Sequence, residues 1–517
     1  MSKNRYDAII IGAGLSGLTV GAILSGYEGK RVLLLEREEF LGGRLVSFCG
    51  EDDHLLLHGK KLDVSGFKKT LASVFTKIHQ SEPDLETLFA RQLLDGYCFE
   101  AGGHATFWGT QGRVGHLLDF LGKKVDLPGN EGFAVLDPEV NKLFPLEKGN
   151  RFEWMGDESN RITKSMLREM VVASDEDLKQ WDRISFGQWL NERTKDRKVY
   201  EFLAALASIH MVMGEPDMIP AGDFIRFMHT ASRIGMNLIS GSTGIVPKPG
   251  FVRIAERISE TIYENQGTIQ NRARVSEVIF EKNTVKGVKA VVENEEKTFL
   301  SDHVICTVPV RKIWPFLPQK LFADEFVQKV NKDFFSVGML TGLLGLKSNV
   351  FADAGINSKS WLLVPSIIKA EEGFIGDVDV ISIMPSNFAP SLAPDNRYTL
   401  GYSIALTESE IRDKAKVDRV IARTHEVFNA RFPAIEKDKE WELWTCSDKG
   451  FGDWPPIGEK RPDVTLPNLK GLFFAGDGYG AKTWGSGMDA AVYSALLCVE
   501  TITGEKYVER VMPEYHR

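Results

Sequence analysis

The stretch from Tyr6 to Arg44, YDAIIIGAGLSGLTVGAILSGYEGKRVLLLEREEFLGGR, restricts the fold of this chain more than any other. Ala8 to Ile11 is a short apolar run that predicts a buried strand. Gly12, Gly14 and Gly17 follow at G-x-G-x-x-G spacing, Leu15 to Leu24 carries apolar residues at helical intervals, and Gly26 is a helix stop. Arg31 to Leu35 predicts a second strand, which ends on Glu36-Arg37, with Glu36 nineteen residues after Gly17. Each part has a mechanical reason. Gly12 allows the tight turn, Gly14 lets the backbone approach a pyrophosphate, and Gly17 lets helix and strand pack closely. Leu15 and Ser16 open a helix whose unpaired N–H groups and positive dipole end attract phosphate. Glu36 would accept hydrogen bonds from a ribose. Three glycines alone recur by chance and can mark no more than a tight turn. A strand before them, a helix after them and an acid at this offset point to a dinucleotide site.

Composition narrows the partners. At 517 residues the chain suffices for two domains with substantial cores. A net charge of −8 argues against nucleic acid. The five cysteines, Cys49, Cys98, Cys306, Cys446 and Cys498, form no C-x-x-C pair. They predict a reduced chain with neither a disulfide framework nor a metal site. The first strand starts too near Met1 for a signal peptide, and no apolar run reaches membrane-spanning length. The expectation is a cytoplasmic protein; a peripheral contact with membranes stays open.

Leu41-Gly42-Gly43-Arg44 resembles the second glycine pair and arginine of the flavin amine oxidase and phytoene desaturase superfamily. In that superfamily the arginine sits near the FAD pyrophosphate, so the resemblance implies FAD rather than NAD. The end of the chain resembles it too: a strand closing on Ala475-Gly476-Asp477, a loop to Gly487, and a helix opening at Met488. The resemblance implies that Asp477 binds the ribityl chain and that the helix N-terminus at Gly487 and Met488 faces the flavin. There its dipole would stabilise the negative charge of reduced flavin. It also implies that Val275 meets the adenine. The fold implied is α/β: a Rossmann-type FAD-binding domain split in sequence over 1–50, 95–125, 241–310 and 440–517. A mixed α+β substrate domain would take 126–240 and 311–439, with a helical insertion at 51–94. Turn signals at Lys282-Asn283 and Lys286-Gly287 divide strands within the third FAD segment.

Three marks of flavin amine oxidases are missing. Thr341 stands where a strand lysine is usual, Gly487 where a cage tyrosine is usual, and Lys449 where the cysteine of a covalent flavin would stand, with Cys446 three residues earlier. Non-covalent FAD is therefore implied. Pro385 to Pro394, PSNFAPSLAP, resembles the P-S-x-x-D-P-S-x-A-P stretch of bacterial phytoene desaturases, with Ala389 replacing the acid. The resemblance thus runs toward the phytoene desaturase, carotenoid isomerase and retinol saturase side. It is good in the FAD segments and in this stretch, and poor in the helical half.

Candidate catalytic groups are Asp453, as a general base or merely a turn acid before Pro455-Pro456; His104, facing the flavin or holding a structural hydrogen bond; and Tyr479, a proton shuttle or an ordinary loop tyrosine. Trp108, Trp454 and Trp484 are candidate walls for an apolar substrate or plain core, and Thr341 is a further candidate. The function implied is desaturation of an apolar, isoprenoid or alicyclic substrate by hydride transfer to flavin N5, with oxygen, a quinone or a carrier protein as electron acceptor. Amine oxidation, isomerisation or saturation, and a non-catalytic flavin-holding protein are the alternatives.

Overall fold

The computed structural model describes residues 4–103, 105–146, 152–235, 243–449 and 453–513. Five short parallel strands form one sheet, in the order Thr268–Gln270, Val32–Leu35, Ala8–Ile11, Val304–Cys306, Leu472–Phe474. Two strands come from the start of the chain, two from its middle and one from its end, so the Rossmann-type sheet is split in sequence. Ala8–Ile11 and Val32–Leu35 are buried along their whole length because layers cover both faces. The helix Leu15–Gly26 is buried at every position but its last, held between the helices Val252–Tyr263 and Gly487–Thr503. Apolar periodicity is therefore weak in it, as expected of a helix enclosed on all sides.

An antiparallel meander, Ala273–Glu281, Thr284–Val292 and Glu295–Leu300, extends this half. Its first turn falls at Lys282-Asn283 as expected. The second falls at Glu293-Asn294, both at positive φ, and Lys286-Gly287 lies inside a strand where Gly287 faces a register shift.

The second half is built on an eight-stranded sheet, ordered Lys142–Pro145, Gly132–Asp137, Ser360–Ile368, Val378–Ile383, Tyr398–Thr407, Val337–Leu346, Lys439–Ser447, Thr76–Glu82. Helices between Asp157 and Arg233 cover one end, and Lys414–Arg431 covers the outer face. Val337–Leu346 is buried throughout, and its small residues have a packing reason. A β-carbon on Gly342 would lie 2.7 Å from the Trp444 ring, and one on Gly345 would lie 2.1 Å from the Trp441 indole nitrogen. The glycines make room for two fully buried tryptophans.

Two expectations need correction. The segment 51–94 is not simply helical. It holds the helices Val64–Ser73 and Leu85–Ala90, but also two strands of a small sheet and the strand Thr76–Glu82, which closes one edge of the eight-stranded sheet. The cysteines are not all reduced. Ser47–Glu51 and Cys98–Glu100 pair antiparallel with Cys49 directly opposite Cys98, and the two form a disulfide. Register between strands almost fifty residues apart is invisible in cysteine spacing.

Glu442 ties the sheet to its covering helix. Buried, it meets His425 at 2.5 Å, Lys439 at 2.7 Å and the Trp444 indole. Burial alone would raise its pKa, but hydrogen bonds and charge from His425 and Lys439 and the Trp444 donor prevail, holding it at about 2. A carboxylate depressed below its ordinary 4.5 contributes stability above that pH, and the contribution is lost as the pH falls toward 2. Glu442→Gln is expected to lower stability at neutral pH by about 1–3 kcal/mol. It should also flatten the acid limb relative to wild type, as measured by denaturant unfolding at a series of pH values.

Candidate active site

At the opening turn, Gly12 sits at φ +103° and donates its N–H to the Leu35 carbonyl at 2.9 Å. A β-carbon on Gly17 would lie 2.0 Å from the Gly12 carbonyl oxygen, so the helix starts here only without one. The second glycine pair folds onto the first. Gly42 donates to the Ala13 carbonyl at 2.9 Å, and a β-carbon on Gly43 would stand 3.2 Å from the Gly14 Cα. Glu36 is buried at the end of the second strand. Its carboxylate accepts the Ala13 N–H at 2.8 Å and the Glu38 N–H at 2.9 Å, while burial raises its pKa.

The two ends of the chain meet at this turn. Arg44 pairs with Asp477 at 2.9 Å, and the Ser16 hydroxyl donates to the Ala491 carbonyl of the closing helix at 3.1 Å. Gly487, at φ +56°, and Met488 begin that helix. One cavity of about 710 Å³ runs past all of these residues. Gly12, Gly14, Leu15, Ser16, Glu36, Arg37, Gly42, Gly43, Arg44, Val275, Gly476, Asp477, Gly487 and Met488 line it; Gly17 stands behind the turn, against Gly12. This donor set fits a dinucleotide. Backbone without β-carbons meets a helix N-terminus at one end, and a buried carboxylate stands nearby. None of the five cysteines lines the cavity, and Cys446 faces the core under the outer helix.

The far part of the cavity is walled by the eight-stranded sheet and the end of the helix Arg197–Met211. Ile209, Val212, Phe107, Met339, Ile381 and Ile383 line it, along with Trp361, Ser403, Ser447 and Asp379. Phe107, Trp361 and Asp379 were not singled out from the sequence. Asp379 occupies an ordinary alternating position in VDVISI, where only sheet pairing reveals the face it takes.

Several candidate residues stand elsewhere. Asp453 is buried between cations: Arg311 Nε lies at 2.7 Å and Lys449 Nζ at 3.2 Å, and Arg311 also donates its backbone N–H at 3.1 Å. It does not line the cavity, so its expected role as a general base gives way to a structural ion pair. Tyr479 does line the cavity, but its hydroxyl is buried and donates to the Val308 carbonyl at 2.9 Å, and burial holds its pKa well above 10; both count against the expected proton shuttle. The three tryptophans do not line this cavity. Trp108 stacks on Phe227 at 4.7 Å, Trp454 lies under the Arg461 guanidinium, and Trp484 lies under that of Arg113. Thr341 is buried in the sheet between Ser403 and Thr445, and among the described residues its hydroxyl has no hydrogen-bond partner. His104 lies outside the described residues.

Comparison with known proteins gives the following. The family described as flavin containing amine oxidoreductase matches residues 89–503, and an NAD(P)-binding Rossmann-like domain matches residues 10–64. A UDP-galactopyranose mutase of Mycoplasma pneumoniae is 42% identical over 55 residues, 11% of this chain and only 14% of the mutase. The chloroplastic prolycopene isomerase of Arabidopsis thaliana is 21% identical over 98% of this chain and 84% of its own length. The crystal structure of an oxidoreductase from Methanosarcina mazei superposes with a TM-score of 0.66 at 16% identity, covering 97% of this chain and 100% of the other, a likeness of fold.

Two outcomes follow for the cofactor. Gly17→Ala is expected to weaken FAD binding by about tenfold or more, the equivalent of about 1–3 kcal/mol of overpacking, as read from the flavin retained after gel filtration. Acid precipitation of the wild type should leave the yellow flavin in the supernatant; a yellow pellet would reveal a covalent bond.

Proposed function

The chain belongs to the flavin-containing amine oxidoreductase family and is an FAD-dependent oxidoreductase, and from that premise we propose that it dehydrogenates an apolar molecule of isoprenoid or alicyclic type. One observation carries this reading: the part of the cavity walled by the eight-stranded sheet is chiefly aliphatic and aromatic, and the one lysine of the lining among the described residues, Lys312, comes instead from the short helix Val310–Lys312 that follows the strand Val304–Cys306 of the parallel sheet. Where the resemblance puts the amine oxidases' lysine, Thr341 stands in a row of hydroxyls, flanked by Ser403 and Thr445 on the neighbouring strands. The Gly102-Gly103 loop lies over that row: a β-carbon on Gly103 would be 2.2 Å from the Ser403 hydroxyl.

FAD, when bound, supplies a hydride acceptor. The chain's own residues bind, orient and exclude water. Gly12, Gly14, Gly43 and Glu36 would hold the nucleotide part, and Asp477 with the start of the closing helix would hold the other part. Ile381, Ile383, Met339 and Phe107 keep the reacting bond dry and favour an apolar body, each buried side chain of this size contributing about 1.5–3 kcal/mol. Electrons would leave to oxygen, a quinone or a carrier protein.

A second reading, net-neutral isomerisation, is supported by the full-length similarity to prolycopene isomerase. Among the described residues no helix is long and apolar enough to cross a membrane.

Anaerobic mixing of the oxidised holoprotein with isoprenoids, cyclic ketones and primary amines separates the readings. Bleaching of the visible flavin band by an apolar compound but not by amines is the expected result. Bleaching by amines alone would refute dehydrogenation of an apolar substrate. Isomerised product without bleaching would select the second reading.

A further inference from the structure

One side chain has the wrong polarity for the far part of the cavity. Asp379 lines it on the strand Val378–Ile383, on the same face as Ile381 and Ile383. Ile381 is itself paired with Ser403 of the hydroxyl row. On the other side, pairing with Ser360–Ile368 slips between Val364 and Ile368, and Ser366 within that irregularity sits at φ +46°. Such a break re-aims main-chain groups. Here the Ser366 N–H donates to the Asp379 Oδ1 at 2.9 Å. Among the described residues Oδ2 has no hydrogen-bond partner and Asp379 has no ion pair.

The surroundings are acidic. Asp377 stands just before the strand Val378–Ile383, Glu201 comes from the helix Arg197–Met211, and Glu215 comes from the turn beyond that helix. The nearby cation, Arg197, is taken by Glu201 at 2.6 Å and Asp377 at 3.1 Å. Burial, opposed by the Ser366 N–H and reinforced by these carboxylates, pushes Asp379 up to about 8. At neutral pH it is then mainly a carboxylic acid, with Oδ1 occupied and the O–H on Oδ2 lacking an acceptor from the protein. A protonated acid in an apolar chamber complements an acceptor oxygen, not a cation.

We propose that Asp379 donates a hydrogen bond to a hydroxyl or carbonyl oxygen of the substrate, which is therefore an apolar molecule carrying one oxygen function rather than a pure hydrocarbon or an ammonium ion. This deepens the proposed function and rests on its assignment of the far cavity to the substrate.

The test is titration of the FAD-loaded protein with 2-octanone, 1-octene and octylammonium, reading the shift of the visible flavin band. At pH 6.5 the wild type is expected to bind 2-octanone about tenfold more tightly than 1-octene. Asp379→Leu should close that gap with 1-octene unaffected. Asp379→Asn, which keeps a donor and nearly the same shape, should retain most of it. In the wild type, raising the pH to 9.5 should weaken 2-octanone and strengthen octylammonium, and Asp379→Asn should show neither change. Equal 2-octanone affinity in wild type and Asp379→Leu, or preference for octylammonium at pH 6.5, would overturn the proposal while leaving the apolar reading intact. No spectral shift with either 1-octene or 2-octanone would overturn both.

Discussion

The missing carbon at Gly17 governs the rest of the structure. With a side chain there, the helix Leu15–Gly26 would be driven off the Gly12 carbonyl, and its N-terminus would no longer stand over the turn. Because the helix can start so close to the strand, its free N–H groups and dipole point into the space that Gly14 and Gly43 leave open. The second glycine pair docks on the first through Gly42 and Ala13, which brings Arg44 to Asp477. A close backbone contact near the start of the chain thus fixes where its last hundred residues must return.

The other half of the molecule solves a different problem. An eight-stranded sheet must offer one face to the cavity and bury the other under the helix Lys414–Arg431. Trp441 and Trp444 fill the space beside the glycines of Val337–Leu346, and Glu442 anchors the covering helix through His425. The sheet is thereby close-packed behind the cavity. Polar groups on that inner face are few, and each one is informative. The hydroxyls of Ser403, Thr341 and Thr445 form a row under the Gly102-Gly103 loop, and Asp379 sits beyond it.

The nucleotide half was legible because its chemistry is local. A glycine turn, an acid at a fixed offset and a closing strand and helix are each contained within a few tens of residues, and fourteen of the fifteen cofactor residues named from the sequence line one cavity. The part of the cavity walled by the eight-stranded sheet was not legible, because its residues are assembled by sheet pairing. Asp379 and Trp361 acquire meaning only when Val378–Ile383 and Ser360–Ile368 lie side by side. The Cys49–Cys98 disulfide depends likewise on the register of two distant strands. Asp453 misled in the opposite direction: an acid near a Pro-Pro pair looks available, and beside the local Lys449 the cation that meets it most closely, Arg311, comes from a remote part of the chain. Trp108, Trp454 and Trp484 were apolar and aromatic as expected, but cation and ring partners draw them into the packing.

That one flavin spans both ends of the chain is tested most directly by calorimetric titration of the flavin-stripped protein with FAD and with ADP, comparing wild type, Glu36→Gln and Asp477→Asn. Glu36→Gln is expected to weaken both ligands by about tenfold, since each carries the ribose that a carboxylate at this position binds. Asp477→Asn should weaken FAD by a similar factor and leave ADP within about twofold of wild type. Unchanged FAD affinity in Asp477→Asn, or equal losses of FAD and ADP in that variant, would contradict a single site built from the first and last segments of the chain.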